Sequence, residues 1–424
     1  MRSWVIRVLG LALGVLLAGC GGGTDLTKAQ LRLVNASEYG ALDMSVDGSS
    51  LFSAVPYGGS ASYQPADPAA MDTIISQPGS ATALVSLTPA VTKNHHYTLL
   101  AYGRQGALST LLLDDNAGAP ASGKTLLRVV NAAPDAGALD VYLTANTDPL
   151  SGAVPLQAAA AVGTLGSYLT VNSNTWRLRV TAAGSKTDLR LDVAALALAS
   201  EGVNTLVLTP GRGGVMVNAL LLADGSESIT RADATQARVR ALAAVSGGAS
   251  VTATVGGTSL LDGVGAPAIG PYALADAGAP AVAVSVNGTA LAAGSATLVA
   301  GGEYTLLVYG SPSAPQLAWL EDDNHLPTDA SGAKLRLVHA LDGLAGSLSL
   351  KVDFVPIPGA VLPGTASAYA PVGASTTASL TVTTPGLATP VVSATDQTFL
   401  AGSIYSYFVG GAVDAPFDIL QKDR

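Results

Sequence analysis

Leu127 Arg128 Val129 Val130 Asn131 Ala132 Ala133 Pro134 Asp135 Ala136 Gly137 Ala138 Leu139 Asp140 Val141 Tyr142 Leu143 is the stretch on which the reading of this chain turns, because it recurs. Leu31 Arg32 Leu33 Val34 Asn35 Ala36 Ser37 followed by Ala41 Leu42 Asp43 Met44 Ser45 Val46 is a close copy, and Lys334 Leu335 Arg336 Leu337 Val338 His339 Ala340 repeats the first half. A fainter copy begins Ala237 Arg238 Val239 Arg240 Ala241. Taking Arg32, Arg128, Arg238 and Arg336 as equivalent gives intervals of 96, 110 and 98 residues (128 minus 32, 238 minus 128, 336 minus 238). A period of that size describes tandem domains rather than a solenoid.

Within each copy apolar residues alternate with a period of two, the mark of a strand. A tyrosine follows at 63, 168, 272 and 369, and a strand led by Tyr97, Tyr304 or Tyr405 comes late in three units, with Asn204 in its place in the second. Leu189 to Ala199 is rich in Ala and Leu, but the other units place a strand and loop there, and the same is expected here. Short strands about ten residues apart, with Gly and Pro turns, predict all-β architecture: four tandem immunoglobulin-like antiparallel β-sandwich domains. The expected units are 29–116, 125–225, 236–324 and 333–424, joined by small or polar linkers at 117–124, 226–235 and 326–332. Beads on a short string is the shape this implies, unless interdomain contacts stiffen it.

At 424 residues the chain is long enough for several cores. Its 49% hydrophobic and 12% charged content excludes disorder driven by charge. A formal charge of −9, without a Lys or Arg cluster, excludes a nucleic-acid partner, which requires a basic face.

Arg2 and Arg7, the apolar run Val8 to Ala18 and the small residues after it read as an export signal, too short to span a bilayer. The run ends in Leu17 Ala18 Gly19 Cys20, which resembles the bacterial lipobox, at which the signal peptide (1–19) is cut and the cysteine lipidated. Cys20 is the one cysteine of the chain. The resemblance implies a palmitate-bearing lipoprotein whose residues 20–28 tether it to the membrane. Loss of Arg2 and Arg7 leaves 19 basic against 30 acidic residues, a mature charge of −11. Gly21 rather than Asp after the cysteine implies, by the same resemblance, sorting to the outer membrane.

The opening at 127–135, the strand Leu139 Asp140 Val141 Tyr142 and the strand Tyr304 Thr305 Leu306 Leu307 Val308 Tyr309 Gly310 together resemble the DUF4397 domains of exported and lipid-anchored bacterial proteins. The resemblance covers essentially the whole mature chain and implies fold, export and repetition, but no chemistry. The third unit departs most, with Arg240 Ala241 where Val Asn is expected.

Nucleophilic catalysis needs Ser or Cys with an oriented base. The chain holds only His95, His96, His325 and His339, and neither a nucleophile elbow nor a phosphate-binding glycine loop is present, so no catalytic residue, no cofactor and no enzymatic activity is expected. Neighbours on a strand, His95 and His96 point to opposite faces and do not suit one metal. His339 stands at the Asn position of the opening and is expected to bond nearby backbone, as Asn35 and Asn131 are. The acidic unit ends Asp114 Asp115 and Asp322 Asp323 are the weak candidates for Ca²⁺, set against solvated turns. The repeated arginines would form either a binding stripe or, more simply, sheet-edge or buried structural groups paired with Asp43 or Asp140.

The function expected is a non-catalytic surface display, spacer or binding module anchored in the cell envelope. Its partners would be the membrane through the lipid, and an envelope protein or glycan. The alternative is a carbohydrate-active accessory protein or hydrolase, which would need exposed aromatic platforms such as Tyr57, Tyr63 or Tyr272; mature tryptophans are limited to Trp176 and Trp319.

Overall fold

A computed structural model of the chain describes residues 25–292 and 296–424. The signal peptide, the lipobox Leu17, Ala18 and Gly19, and Cys20 lie outside the described residues.

Each unit is a sandwich of two sheets, and no α-helix occurs among the described residues. In the first unit, the opening strand Ala29–Ser37 lies between Gln64–Ala66 and the late strand His96–Arg104, with Ala107–Asp114 at the far edge. The facing sheet orders Ser49–Pro56, Ala41–Val46, Thr73–Ser76 and Ala83–Leu87. Leu31, Leu33, Leu42, Met44, Ile75 and Leu99 meet between them. The other units repeat this plan around the opening strands Lys124–Asn131, Gln236–Val245 and Gly332–Asp342 and the late strands Val203–Pro210, Glu303–Ser311 and Ile404–Ala412. Leu189–Leu198 is a strand, as expected despite its helix-prone composition, because it pairs along its length with Asn174–Ala182.

The tandem sandwiches are thus as expected, with one refinement. Most pairings are antiparallel, but opening and late strands run parallel in all four units. Parallel neighbours require a long crossover, and here the chain supplies it by building the other sheet on the way. Strand alternation could not reveal this, since both pairings have the same period.

Two expectations about joints are overturned. The segment 226–235 is not a free linker: Ile229–Ala232 adds a fifth strand to the second unit by pairing with Val217–Ala223. Nor are the units beads on a string. Val34, Ala36, Leu100 and Leu113 of the first unit form one core with Val130, Ala132, Val207, Leu220 and Leu222 of the second. Leu242, Ala244, Leu307, Tyr309 and Leu320 do the same with Val338, Ala340 and Phe408 across units three and four. The mixed sheets of each pair therefore pack face to face, making four-layered stacks. That is why the opening strands are buried along nearly their whole length, polar positions included: both of their faces are covered.

Close approach within the pairs depends on glycine at two matching places. Gly163 (φ 72°) lies under Tyr102 of the first unit and Gly364 (φ 75°) under Tyr309 of the third, and a Cβ at either would fall 2.3 Å from the tyrosine oxygen. Gly364→Ala is expected to lower stability by about 2 kcal/mol through overpacking and left-handed strain. Denaturant titration of parent and variant, with Gly386→Ala as a left-handed control that meets nothing within 4 Å, measures the part due to packing.

Candidate interdomain arginine–aspartate site

The opening strand carries its arginine on the face that meets the partner unit, two positions before the interfacial valine or leucine. Register identifies the equivalents. Arg32 stands opposite Thr98, Arg128 opposite Thr205, Arg240 opposite Thr305 and Arg336 opposite Ser406. In each case the guanidinium Nε donates to that hydroxyl, at 2.6, 2.8, 2.9 and 2.8 Å. The third member of the repeat is therefore Arg240, not Arg238. Both lie on one face of the strand, two residues apart, so the period of two cannot separate them. With Arg240 in place the position held by Asn35, Asn131 and His339 is Ala243, not Ala241.

The correction exposes a longer period. Arg32 to Arg240 and Arg128 to Arg336 are both 208 residues (240 minus 32, 336 minus 128), so the unit of repetition is a pair of sandwiches.

These arginines face aspartates from the unit ends, not Asp43 or Asp140, and Arg32 donates to the Ser226 and Ala223 carbonyls of the second unit. Asp43 instead accepts from the Ala54 amide and Asp140 from those of Ala159 and Gly184. Asp115 receives Arg128 of the partner unit at 3.1 Å and lies 3.8 Å from its own Arg32, while Arg128 is also 3.5 Å from Asp224. In the second pair, Arg336 donates to Asp322, and Arg240 lies 3.9 Å from Asp322 and 2.6 Å from Asp423, a close ion pair across the units. The same hydroxyls that receive the arginines donate to the aspartates: Thr98 to Asp115, Thr205 to Asp224, Thr305 to Asp322 and Ser406 to Asp423.

The repeated tyrosines complete the site. Tyr63, Tyr168, Tyr272 and Tyr369 donate their hydroxyls to Asp115, Asp224, Asp322 and Asp423. Their rings lie 4.7, 4.4, 4.6 and 4.8 Å from Arg32, Arg128, Arg240 and Arg336. Burial together with the neighbouring carboxylates raises all four phenols, so they remain neutral donors. Burial raises the Asp115 carboxyl; at Asp322 the same desolvation is outweighed by Arg336 and Arg240, which hold it below the usual carboxylate range.

Two of the four calcium candidates are thereby reassigned. Asp115 and Asp322 are 5% and 1% exposed and face arginines rather than an ion or solvent. Asp114 bonds Asn116 at the surface, and Asp323 is shared by His325 and Lys334. Asp224 and Asp423, the matching groups of units two and four, carried no acidic run to mark them in the sequence.

Asn35 and Asn131 meet expectation: each donates to two carbonyls and accepts the amide two residues on. His339 does the same with a ring, Nδ1 accepting from the Leu341 amide at 3.2 Å and Nε2 lying 3.1 Å from the Gly346 carbonyl. His95 lies against Tyr97 and Asp114 while His96 meets Tyr63, on separate sides as anticipated.

Arg238, displaced from the repeat, joins the two pairs. It contacts Glu303 at 3.0 Å and Asp188 of the second unit at 3.2 Å. Glu303 is fully buried and accepts from the Val215 amide and from Asn324. Arg104 of the first unit reaches the Leu326 and Pro327 carbonyls and Asp135 of the second.

Two predictions follow from this geometry. Truncating one member of a buried pair strands the other, at a cost of about 3–5 kcal/mol, so Arg336→Ala is expected to destabilise units three and four together. Calorimetry of Arg336→Ala, Asp322→Ala and the double variant checks this; additive losses would deny the coupling. Burial also lowers the His339 pKa below its ordinary 6.5, so the unfolded chain binds that proton more readily. Stability from this group is complete above 6.5 and falls as pH drops below it. His339→Asn should remove that dependence, seen as a melting temperature about 2–4 °C less sensitive to acidification for each kcal/mol involved.

One comparison with known proteins agrees with the doubled repeat. No curated protein matches the chain. Among solved structures, the Bacillus anthracis TIE protein aligns at 12% identity over 72% of this chain and 53% of its own, with a TM-score of 0.15, which carries no argument. The family model described as a domain of unknown function, DUF4397, matches residues 29–142 and 237–350. The two matches start 208 residues apart (237 minus 29), and each takes in one whole unit and the first two strands of the next. Together they span more than half of the chain, which belongs to the DUF4397 family.

Proposed function

We propose that this chain is a non-catalytic structural module of the bacterial cell envelope, a lipid-anchored stack that displays or spaces a binding surface away from the membrane. The observation that carries this reading is the use of the repeated polar residues. Arginine, hydroxyl and aspartate side chains, the groups from which a site would be made, are buried in the joints between units, with the tyrosines half-buried over them. Side chains spent largely on one another hold geometry rather than turn over a substrate. The anchor rests on the lipobox resemblance at Leu17 to Cys20, since several acyl chains on one cysteine hold a protein to a bilayer almost permanently. An outer-membrane location rests on Gly21.

Among the described residues, the aromatic side chains named for the carbohydrate-active alternative are engaged within the fold. Tyr63 and Tyr272 lie beneath guanidinium groups, and the Tyr57 hydroxyl is bound to Thr209 and Pro210 of the second unit. Trp176 and Trp319 pack partly against the cores of their own units.

Labelling cells with a palmitate analogue tests the anchor: the parent is expected to take the label and Cys20→Ala to lose it, and an unlabelled parent removes the anchor. Protease shaving of intact cells combined with crosslinking mass spectrometry tests display. Protection from protease together with crosslinks only to periplasmic proteins would overturn a surface role.

A further inference from the structure

Where the two pairs of sandwiches meet, three side chains from distant parts of the chain converge. Glu38 follows the opening strand of the first unit, Asp135 sits in the short turn Pro134–Ala136 of the second, and His325 lies in the connection between the third and fourth. Each offers a ligand atom within 4.8 Å of the other two.

Each of the two carboxylates keeps one buried oxygen without a hydrogen-bond partner. Asp135 is 1% exposed. Its Oδ1 is engaged, accepting from the Leu326 amide at 2.7 Å and lying 3.3 Å from Arg104, but its Oδ2 is buried with no hydrogen-bond partner. Glu38 Oε1 is likewise buried and unpartnered. Two desolvated carboxylate oxygens facing a common space are costly unless something positive lies between them.

The histidine is prepared as a ligand. Its Nδ1 lies 2.6 Å from Asp323 Oδ1. A carboxylate holding one ring nitrogen fixes the proton there and leaves Nε2 as the free donor of electrons, the arrangement found behind metal-bound histidines. Asp323 is itself held by Lys334 at 2.8 Å. Arg104 does not fill the space, because its charge is directed to Oδ1 and to the carbonyls of Leu326 and Pro327.

We propose that Glu38, Asp135 and His325 form a binding site for one divalent transition-metal ion, with zinc as the representative, completed by water. One imidazole and two carboxylates is a donor set that such ions accept, whereas calcium favours oxygen alone. Tetrahedral bonds of the usual length place ligand atoms about 3.4 Å apart. Binding therefore draws the three side chains inward and clamps the first pair of units to the connection leading into the fourth.

The test uses full-length protein purified in detergent and stripped with a chelator. Titration with zinc chloride, followed by calorimetry and elemental analysis, is expected to give one ion per chain and a raised melting temperature. Cobalt should give the visible absorption of a low-coordinate site. Glu38→Gln and His325→Ala are each expected to weaken binding at least tenfold while melting, without metal, close to the parent. Asp135→Asn also disturbs the Arg104 contact, so it serves only as confirmation. Calcium in hundredfold excess should leave the cobalt spectrum unchanged. Absence of stoichiometric zinc binding, binding indifferent to Glu38→Gln and His325→Ala, or displacement by calcium would each overturn the proposal.

Discussion

The arginine–aspartate pairs that cross between adjacent sandwiches, Arg128 with Asp115, Arg240 with Asp423 and Arg336 with Asp322, are the interaction on which the rest of this molecule depends. An apolar face alone can pack against another in many registers. The guanidinium of Arg128 or Arg240 finds a carboxylate across the joint only in the register that sets Asp115 or Asp423 of the neighbouring unit opposite it. Desolvating these charges costs several kcal/mol per ion, and the hydroxyl and phenol ligands on each side offset much of that cost. The gain is a single relative placement of the two units, with the small residues Ala36, Ala132, Ala244 and Ala340 letting the sheets approach.

Once the pair is the building block, other features of the chain fall into order. The 208-residue period, the matching tyrosine-over-glycine contacts at Gly163 and Gly364, and the family match that runs past the end of one sandwich all describe a two-sandwich body made twice. The family boundary extending to Tyr142 and Leu350 takes in the opening strand of the second sandwich, which carries half of the joint. A single sandwich cut at Asp115 would expose the interfacial side of its mixed sheet and leave that aspartate without Arg128.

The two bodies are joined by a different chemistry, specific to this junction. Glu303, Arg238 and Asp188 form one tie, and Arg104 with Asp135 a second. These residues do not recur in the other joints, and they lie where a repeat comparison has least to offer. For a protein read as an envelope spacer, such a junction sets the angle between its halves, and with it where the far end stands relative to the anchor.

What the amino-acid sequence determined by itself was the number of units, their strands, and the residues that recur. Alternation of period two, turns rich in Gly and Pro, and the repeated Arg, Asn and Tyr are local properties, legible wherever the chain is read. Asn35, Asn131 and His339 are the clearest case, because their partners lie mainly on nearby backbone. The parallel pairing of opening and late strands, the choice of Arg240 over Arg238, the reassignment of Asp115 and Asp322 from solvent to arginine, and the strand in 226–235 were decided only by tertiary structure. Each depends on which face of a strand meets which neighbour tens or hundreds of residues away. A two-residue period is blind to a two-residue shift, and an acidic run looks the same whether water or a guanidinium lies opposite it.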